Sequence, residues 1–269
     1  MLRNNLTIVL MSEKVNENPR PRIPVLLYHR IDAEADRCWR PFCVSPENFA
    51  AQMRWLAEQG FSAIHLGQLL DYYRQGLPAP PKPFVITFDD GYFCNYSQAF
   101  PILRRHGFTA TVFLLHNFVR RDAAVPREGR ETFMAWPEIL EMQDAGWEFH
   151  SHGLDHRQMT VLSREELDRE IGESKQYLAA KLHQPVEFFC YPWAKFNPSV
   201  QAVVRAFGYR GACGGPPFEA GGPVDDFAIG RTEILWGDSL RHFIFKIQRG
   251  LGYYYYTKKQ LGKLKRQLF

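Results

Sequence analysis

The sequence predicts a single-domain α/β barrel of about seven parallel strands, and three observations point to it. Its 269 residues match one large domain of the barrel size class and exceed a peptide or a disulfide mini-protein. Short apolar runs alternate with helix-length amphipathic segments to the end of the chain, which is how repeated β-α units and a parallel sheet read in sequence. No internal repeat and no low-complexity linker divides the chain, so one barrel is favoured over two domains.

Taken in order, residues 1–22 read as a lead-in, residues 23–250 as the barrel and residues 251–269 as a basic, aromatic tail. The first strand is Ile23 to Tyr28. Ser45 can cap a helix with Pro46 at its first position, after which Phe49, Met53 and Leu56 fall on one face. Leu66, Leu69, Leu70 and Tyr73 repeat that pattern. Strands follow at Phe84 to Phe88, Thr109 to Leu115 and Trp147 to His150, each short and apolar as buried parallel strands are. Ser163 and Glu166 form a capping box for a helix whose Leu167, Ile171, Leu178 and Leu182 make the inward stripe. Val186 to Tyr191, Tyr209 to Cys213 and Phe227 to Arg231 complete the strands. All of the helical stripes read as core.

Composition narrows the function classes. At 45% hydrophobic and 23% charged, the chain can bury a full core and is neither disordered nor fibrous. Lys and Arg exceed Asp and Glu by 33 to 29, a net +4 that is clustered only at the C-terminus, so no nucleic-acid partner is expected. Five cysteines, Cys38, Cys43, Cys94, Cys190 and Cys213, are odd in number and contain no CxxC pair, which argues against a disulfide framework or a structural zinc cluster. The apolar run Leu6 to Met11 is shorter than a signal-peptide core and lacks a small-residue cleavage site, so a cytoplasmic location is expected. No run elsewhere approaches the ~20 apolar residues of a membrane span.

In a barrel of this kind chemistry gathers where the strands end. Phe84-Val-Ile-Thr-Phe-Asp89-Asp90-Gly91 is an apolar strand ending in two carboxylates. Adjacent strand residues point to opposite sides, and a kink at Gly91 would bring Asp89 and Asp90 to one site; the same triplet also suits an ordinary turn. Glu148-Phe-His150-Ser151-His152-Gly-Leu-Asp-His156 is dense in imidazoles. His152 and His156 are four apart, a spacing that suits one metal ion if the segment turns helically, or else a packed histidine cluster. A third strand end, Phe188 to Ala194, places Pro192 and Trp193 where a sugar groove or a core lid would be.

Thr87-Phe88-Asp89-Asp90-Gly91 followed by His152-Gly-Leu-Asp-His156 resembles the polysaccharide deacetylases of the NodB-homology type, carbohydrate esterase family 4. The likeness extends to Val25 to Arg30, Ala99 to Leu103, Gly107 to Phe113 and Trp136, and so covers roughly residues 23 to 250. Phe189-Cys-Tyr-Pro192 looks like the third motif of the bacterial poly-N-acetylglucosamine deacetylases. The resemblance implies a distorted, TIM-like barrel with one divalent metal ion, usually zinc, held by Asp90, His152 and His156. It implies Asp89 as general base and the backbone N–H of Trp193 as a donor to the reaction's oxyanion. The implied activity is hydrolysis of N-acetyl groups from N-acetylhexosamine units of a bacterial glycan, with a carbohydrate as the partner.

Two departures matter. The commonest family form has an arginine in the third motif that orients the base, and the matching residue here is Cys190; Arg231, at the end of the last predicted strand, is the expected replacement. The family's general acid is a histidine in a Leu-x-His motif. Leu240-Arg241-His242 has that spacing but reads as helix, and His29, directly after the first strand, competes for the role, as does a metal-bound water. His150 reads as a packed histidine. Three alternatives stay open: an N-acyl hydrolase on a lipid-linked sugar, an O-acetyl esterase, and a catalytically silent glycan-binding relative, against which the retained Asp89 argues. The tail from Tyr253 to Phe269, with leucines at 261, 264 and 268, suits either a solvated segment or peripheral contact with an anionic membrane. Substrate length and linkage would depend on the loops Asn117 to Thr132 and Gly214 to Val224.

Overall fold

The computed structural model describes residues 21–33, 40–121, 133–215 and 225–249. The run Leu6 to Met11, Cys38, the tail 251–269 and most of the two specificity loops lie outside the described residues.

The strands are β1 (Val25–Tyr28), β2 (Arg30–Ile31), β3 (Cys43–Val44), β4 (Ser62–Ala63), β5 (Pro83–Phe88), β6 (Thr111–Leu114), β7 (Glu148–Ser151), β8 (Phe188–Cys190), β9 (Gly211–Gly215), β10 (Ile229–Gly230) and β11 (Thr232–Glu233). Eight of them form a nearly closed parallel barrel in the order β10-β9-β8-β7-β6-β5-β1-β11, with β4 beside β5 and β2 paired to β3. The expected seven become eight because a further two-residue strand, β11, follows directly after the last predicted one, Phe227 to Arg231, which holds β10. Ile229 pairs with Cys213 of β9, whereas Thr232 pairs with Leu26 of β1. The chain therefore changes partner at Arg231, and that one residue stands at the seam that closes the barrel. The two-residue strands β2, β3 and β4 are too short to carry a hydrophobic period, so the sequence does not announce them.

Two apolar layers follow from strand alternation. Phe84, Ile86 and Phe88 of β5, Val112 and Leu114 of β6, and Phe189 of β8 face outward and pack under the helices. Val25, Val85, Phe113, Phe188, Cys190, Cys213 and Ile229 face inward. The helix α1 (Pro46–Glu58) is capped by Ser45 Oγ, which accepts from Asn48 N–H at 3.3 Å, and it buries Phe49, Met53 and Leu56 as expected. The next helix, α2 (Leu66–Arg74), behaves differently. Its Leu66, Leu69 and Leu70 join the inward cluster, so it closes the N-terminal end of the barrel, and Arg210 beside β9 ties it down through Asp71 and Gly67 O.

The outer layer continues with α3 (Phe100–Arg105), α4 (Trp136–Asp144), α5 (Arg164–Leu167), α6 (Ser174–Ala179), α7 (Pro198–Ala206) and α8 (Leu240–Arg249). The segments α5 and α6 are joined by a wider helical turn, Asp168–Glu173, and the Ser163–Glu166 capping box opens them. Leu182 is buried as expected but lies beyond the helix. Among the described residues no helix is long and apolar enough to cross a membrane. With α2 filling one end, the described interior leaves the C-terminal ends of the strands for chemistry.

Candidate metal centre and active site

Parity along the strands decides which side chains meet. Val85, Thr87 and Asp89 form one inward row, and Phe188 and Cys190 another; Arg231 continues the row of Ile229. Asp89 and Arg231 therefore meet inside the barrel. Arg231 Nη1 donates to Asp89 Oδ1 at 2.7 Å and Nη2 to Oδ2 at 2.8 Å, a two-point clasp between buried side chains. Thr87 Oγ1 and Cys190 Sγ accept further bonds from the same guanidinium at 3.2 and 3.0 Å, and Phe113 lies beneath it with its ring centre 5.5 Å from the guanidinium carbon. The Cys190 thiol in turn donates to Asp89 Oδ2 at 3.5 Å. Burial by itself would raise the Asp89 carboxyl, but the Arg231 charge and hydrogen bonds outweigh it and hold Asp89 well below the ordinary carboxylate range.

Asp90 should face outward by parity. It does not, because the backbone is left-handed at Asp90 itself (φ 69°) as well as at Gly91 (φ 79°), so the expected kink spans both residues. A Cβ at Gly91 would lie 2.7 Å from Leu114 Cδ2, so any other residue would force Leu114 to shift as well as strain φ. The turn aims Asp90 Oδ1 at two imidazoles: His152 Nε2 is 3.5 Å away and His156 Nε2 is 3.6 Å away. The histidines do not meet along a helix. The chain after β7 turns through Gly153 (φ 93°) and reaches His156 in a left-handed conformation (φ 58°).

The three residues fit a metal ion on grounds visible in the structure. Asp90 Oδ1 is buried with no hydrogen-bond partner among the described residues, while burial and the Asp89 charge push the Asp90 carboxyl up to about 7. His152 Nδ1 lies 2.8 Å from Cys190 O and can donate to it, which leaves Nε2 as the lone-pair side facing Asp90. Asp89, His152 and Cys190 are also close enough to share an ion. That set is less suited to an ion, since both Asp89 oxygens already receive Arg231 and burial pushes the Cys190 thiol up and keeps it protonated.

Trp193 stands at the rim, 64% exposed, with its ring 4.9 Å from that of His156 and its indole N–H donating to His156 O at 3.2 Å. Trp193 and Ala194 are left-handed (φ 60° and 51°), and among the described residues no acceptor meets the Trp193 backbone N–H. His29 is electrostatically coupled to Asp89, Arg231 and His156, and burial lowers it to about 4. His242 is exposed on α8. His150 faces the interior below the site, between Phe113 and Phe188, with Nε2 3.4 Å from Glu148 Oε2, as a packed histidine would. Sequence reasoning missed Thr87 and the direct part played by Cys190. The signal for Thr87 was its place two residues before Asp89 on one strand face.

The polysaccharide deacetylase family model matches residues 76–212, just over half of the chain, and this span contains Asp89, Asp90, His152, His156 and Trp193. The chain belongs to that family. A Bacillus subtilis relative, YxkH, whose name assigns it to the polysaccharide deacetylases, is 25% identical over 81% of this chain and 73% of its own. The poly-β-1,6-N-acetyl-D-glucosamine N-deacetylase of Escherichia coli is 24% identical over 72% of this chain, which spans only 34% of that relative's length. The crystal structure of BC0361, a polysaccharide deacetylase from Bacillus cereus, superposes with a TM-score of 0.72 at 25% identity, covering 86% of this chain and 70% of that one. The motif resemblance, the barrel and the assignment to a deacetylase enzyme therefore stand together.

Proposed function

We propose that this deacetylase is metal-dependent and removes N-acetyl groups from N-acetylhexosamine units of a bacterial glycan. The observation that carries the reading is the pairing, at one barrel mouth, of an ionised carboxylate clasped by arginine with an unpartnered Asp90 oxygen facing two imidazoles. The naming of the Escherichia coli relative for an N-acetylglucosamine polymer supports the substrate class.

Asp90, His152 and His156 would hold one divalent ion, for which zinc is the first choice given two imidazoles and one carboxylate. Such an ion, when bound, acidifies water and polarises the acetyl carbonyl. The remaining steps belong to side chains of this chain. Asp89, kept ionised by Arg231, takes the proton of the water that attacks the acetyl carbon. The Trp193 backbone N–H donates to the carbonyl oxygen as charge develops on it. His29 is neutral at the start because burial lowers it, so the proton collected by Asp89 is its source of charge before it protonates the departing amine.

The test is acetate release from N-acetylglucosamine oligomers by purified, metal-analysed protein beside Asp89→Asn. Release that requires metal and vanishes in the variant supports the reading. A fully metallated protein that releases no acetate from these oligomers or from N-acetylglucosamine oligomers that carry acidic units overturns it.

A further inference from the structure

Beyond the metal centre, the chain leaving β6 opens a cavity of about 670 Å³ on the flank of the barrel. One wall is apolar and aromatic, made by Trp136 and Leu140 of α4 with His116, whose ring lies 6.4 Å from that of Trp136 and 5.0 Å from that of Tyr177. Arg121 and Lys181 also line it, and among the described lining residues there is no carboxylate. Burial and the Lys181 charge both lower His116, so the imidazole is a neutral ring at pH 7 and the positive charge rests on the two long side chains.

The cavity is tied to the candidate metal centre by three hydrogen bonds. His116 N–H donates to Gly153 O at 3.1 Å, Asn117 N–H to Leu154 O at 3.3 Å, and Asn117 Nδ2 to Asp155 Oδ1 at 2.8 Å. The turn that receives them leads directly into His156. The cavity and the candidate metal centre therefore share one loop, and the cavity's volume is ordinary for small-molecule sites.

We infer that this cavity binds an acidic pyranose unit of the substrate strand, its ring against Trp136 and His116 and its anionic group between Arg121 and Lys181. An aromatic wall suits the C–H face of a sugar, and a guanidinium and an ammonium lining the same cavity suit a carboxylate or phosphate through charge-assisted hydrogen bonds. The inference rests on the deacetylase reading for the claim that both sites engage one strand, and it narrows the substrate to glycans that carry acidic units.

The experiment is equilibrium binding to the intact chain, read by calorimetry without turnover. The probes are a hyaluronan tetrasaccharide, which alternates glucuronate with N-acetylglucosamine, a neutral N-acetylglucosamine tetramer, and inorganic phosphate. The acidic tetrasaccharide is expected to bind about tenfold more tightly than the neutral one, a difference of about 1.4 kcal/mol. The double variant Arg121→Gln with Lys181→Gln should lose that preference while its Kd for the neutral tetramer stays at the wild-type value. Equal affinities in the wild type, or a preference that survives in the double variant, overturn the inference. Phosphate that binds as tightly as the acidic tetrasaccharide overturns its sugar component. Acidic-probe binding by a fully metallated protein that releases acetate from neither the neutral nor the acidic tetrasaccharide would keep this inference and remove the catalytic reading, so the two fail separately.

Discussion

Arg231 and Asp89, 142 positions apart in sequence, clasp each other across the barrel interior through bonds of 2.7 and 2.8 Å. Arg231 does this from the seam between β10 and β11, so the residue that closes the barrel also fixes the candidate base. Replacing it by lysine keeps a charge but loses the fork, and turnover should fall about 10²-fold with metal content unchanged. Arg231→Ala should also cost about 3–5 kcal/mol in urea unfolding, because Asp89 is left buried without its partner. Wild-type turnover in both variants would remove Arg231 from the site.

Two adjacent carboxylates should separate cleanly by readout. Asp90→Asn and His156→Ala are expected to lower bound metal, measured by elemental analysis, from about one ion per chain towards zero, since each removes one of three ligands. Asp89→Asn should retain the ion and lose turnover. Chelation of the wild type should abolish activity, and added divalent ion should restore it. Full metal content in Asp90→Asn would contradict the ligand assignment.

Gly91 and Gly60 make a matched pair for backbone strain. Both are left-handed, at φ 79° and 73°, but a Cβ at Gly60 meets nothing within 4 Å whereas one at Gly91 meets Leu114. Gly60→Ala should cost about 1 kcal/mol and Gly91→Ala about 2–3 kcal/mol, the difference being the clash. Equal losses would mean that Leu114 moves aside freely.

Trp193 can act through its backbone or through its ring, and Trp193→Ala distinguishes the two. The N–H survives the substitution while the exposed aromatic surface is lost, so KM for an oligomer should rise about tenfold with kcat within a factor of about two. A large fall in kcat instead would mean that the ring holds the left-handed turn in place.

Stability should depend on pH through His65, at the N-terminal end of the barrel beside Glu148, with Nδ1 to Oε2 3.4 Å, and near His150. Burial lowers His65 below 6.5 despite the opposing charge of Glu148. The unfolded chain then binds the proton first as pH falls, so this contribution is fully present above pH 6.5 and is lost as pH drops towards the folded value. Urea unfolding of His65→Gln between pH 5 and 7 should show a shallower slope than the wild type.

Much of this protein was legible before folding was considered. The seven apolar runs mark the strands, and the capped stripes after Ser45 and Ser163 mark helices, because burial of one face imposes a period on the chain. The motif residues Asp89, Asp90, His152 and His156 stand at strand ends, where the polypeptide must leave the sheet and can turn side chains inward. Contacts between distant strands were a different matter. That α2 closes the barrel floor, that Thr87 and Cys190 hold the guanidinium, and that the Asp90 turn and the Gly153–His156 turn bring Asp90, His152 and His156 together depend on sheet order and register, which carry no local period. Local pattern selected the elements, and the closing of β10 and β11 onto opposite edges decided which of their side chains would meet.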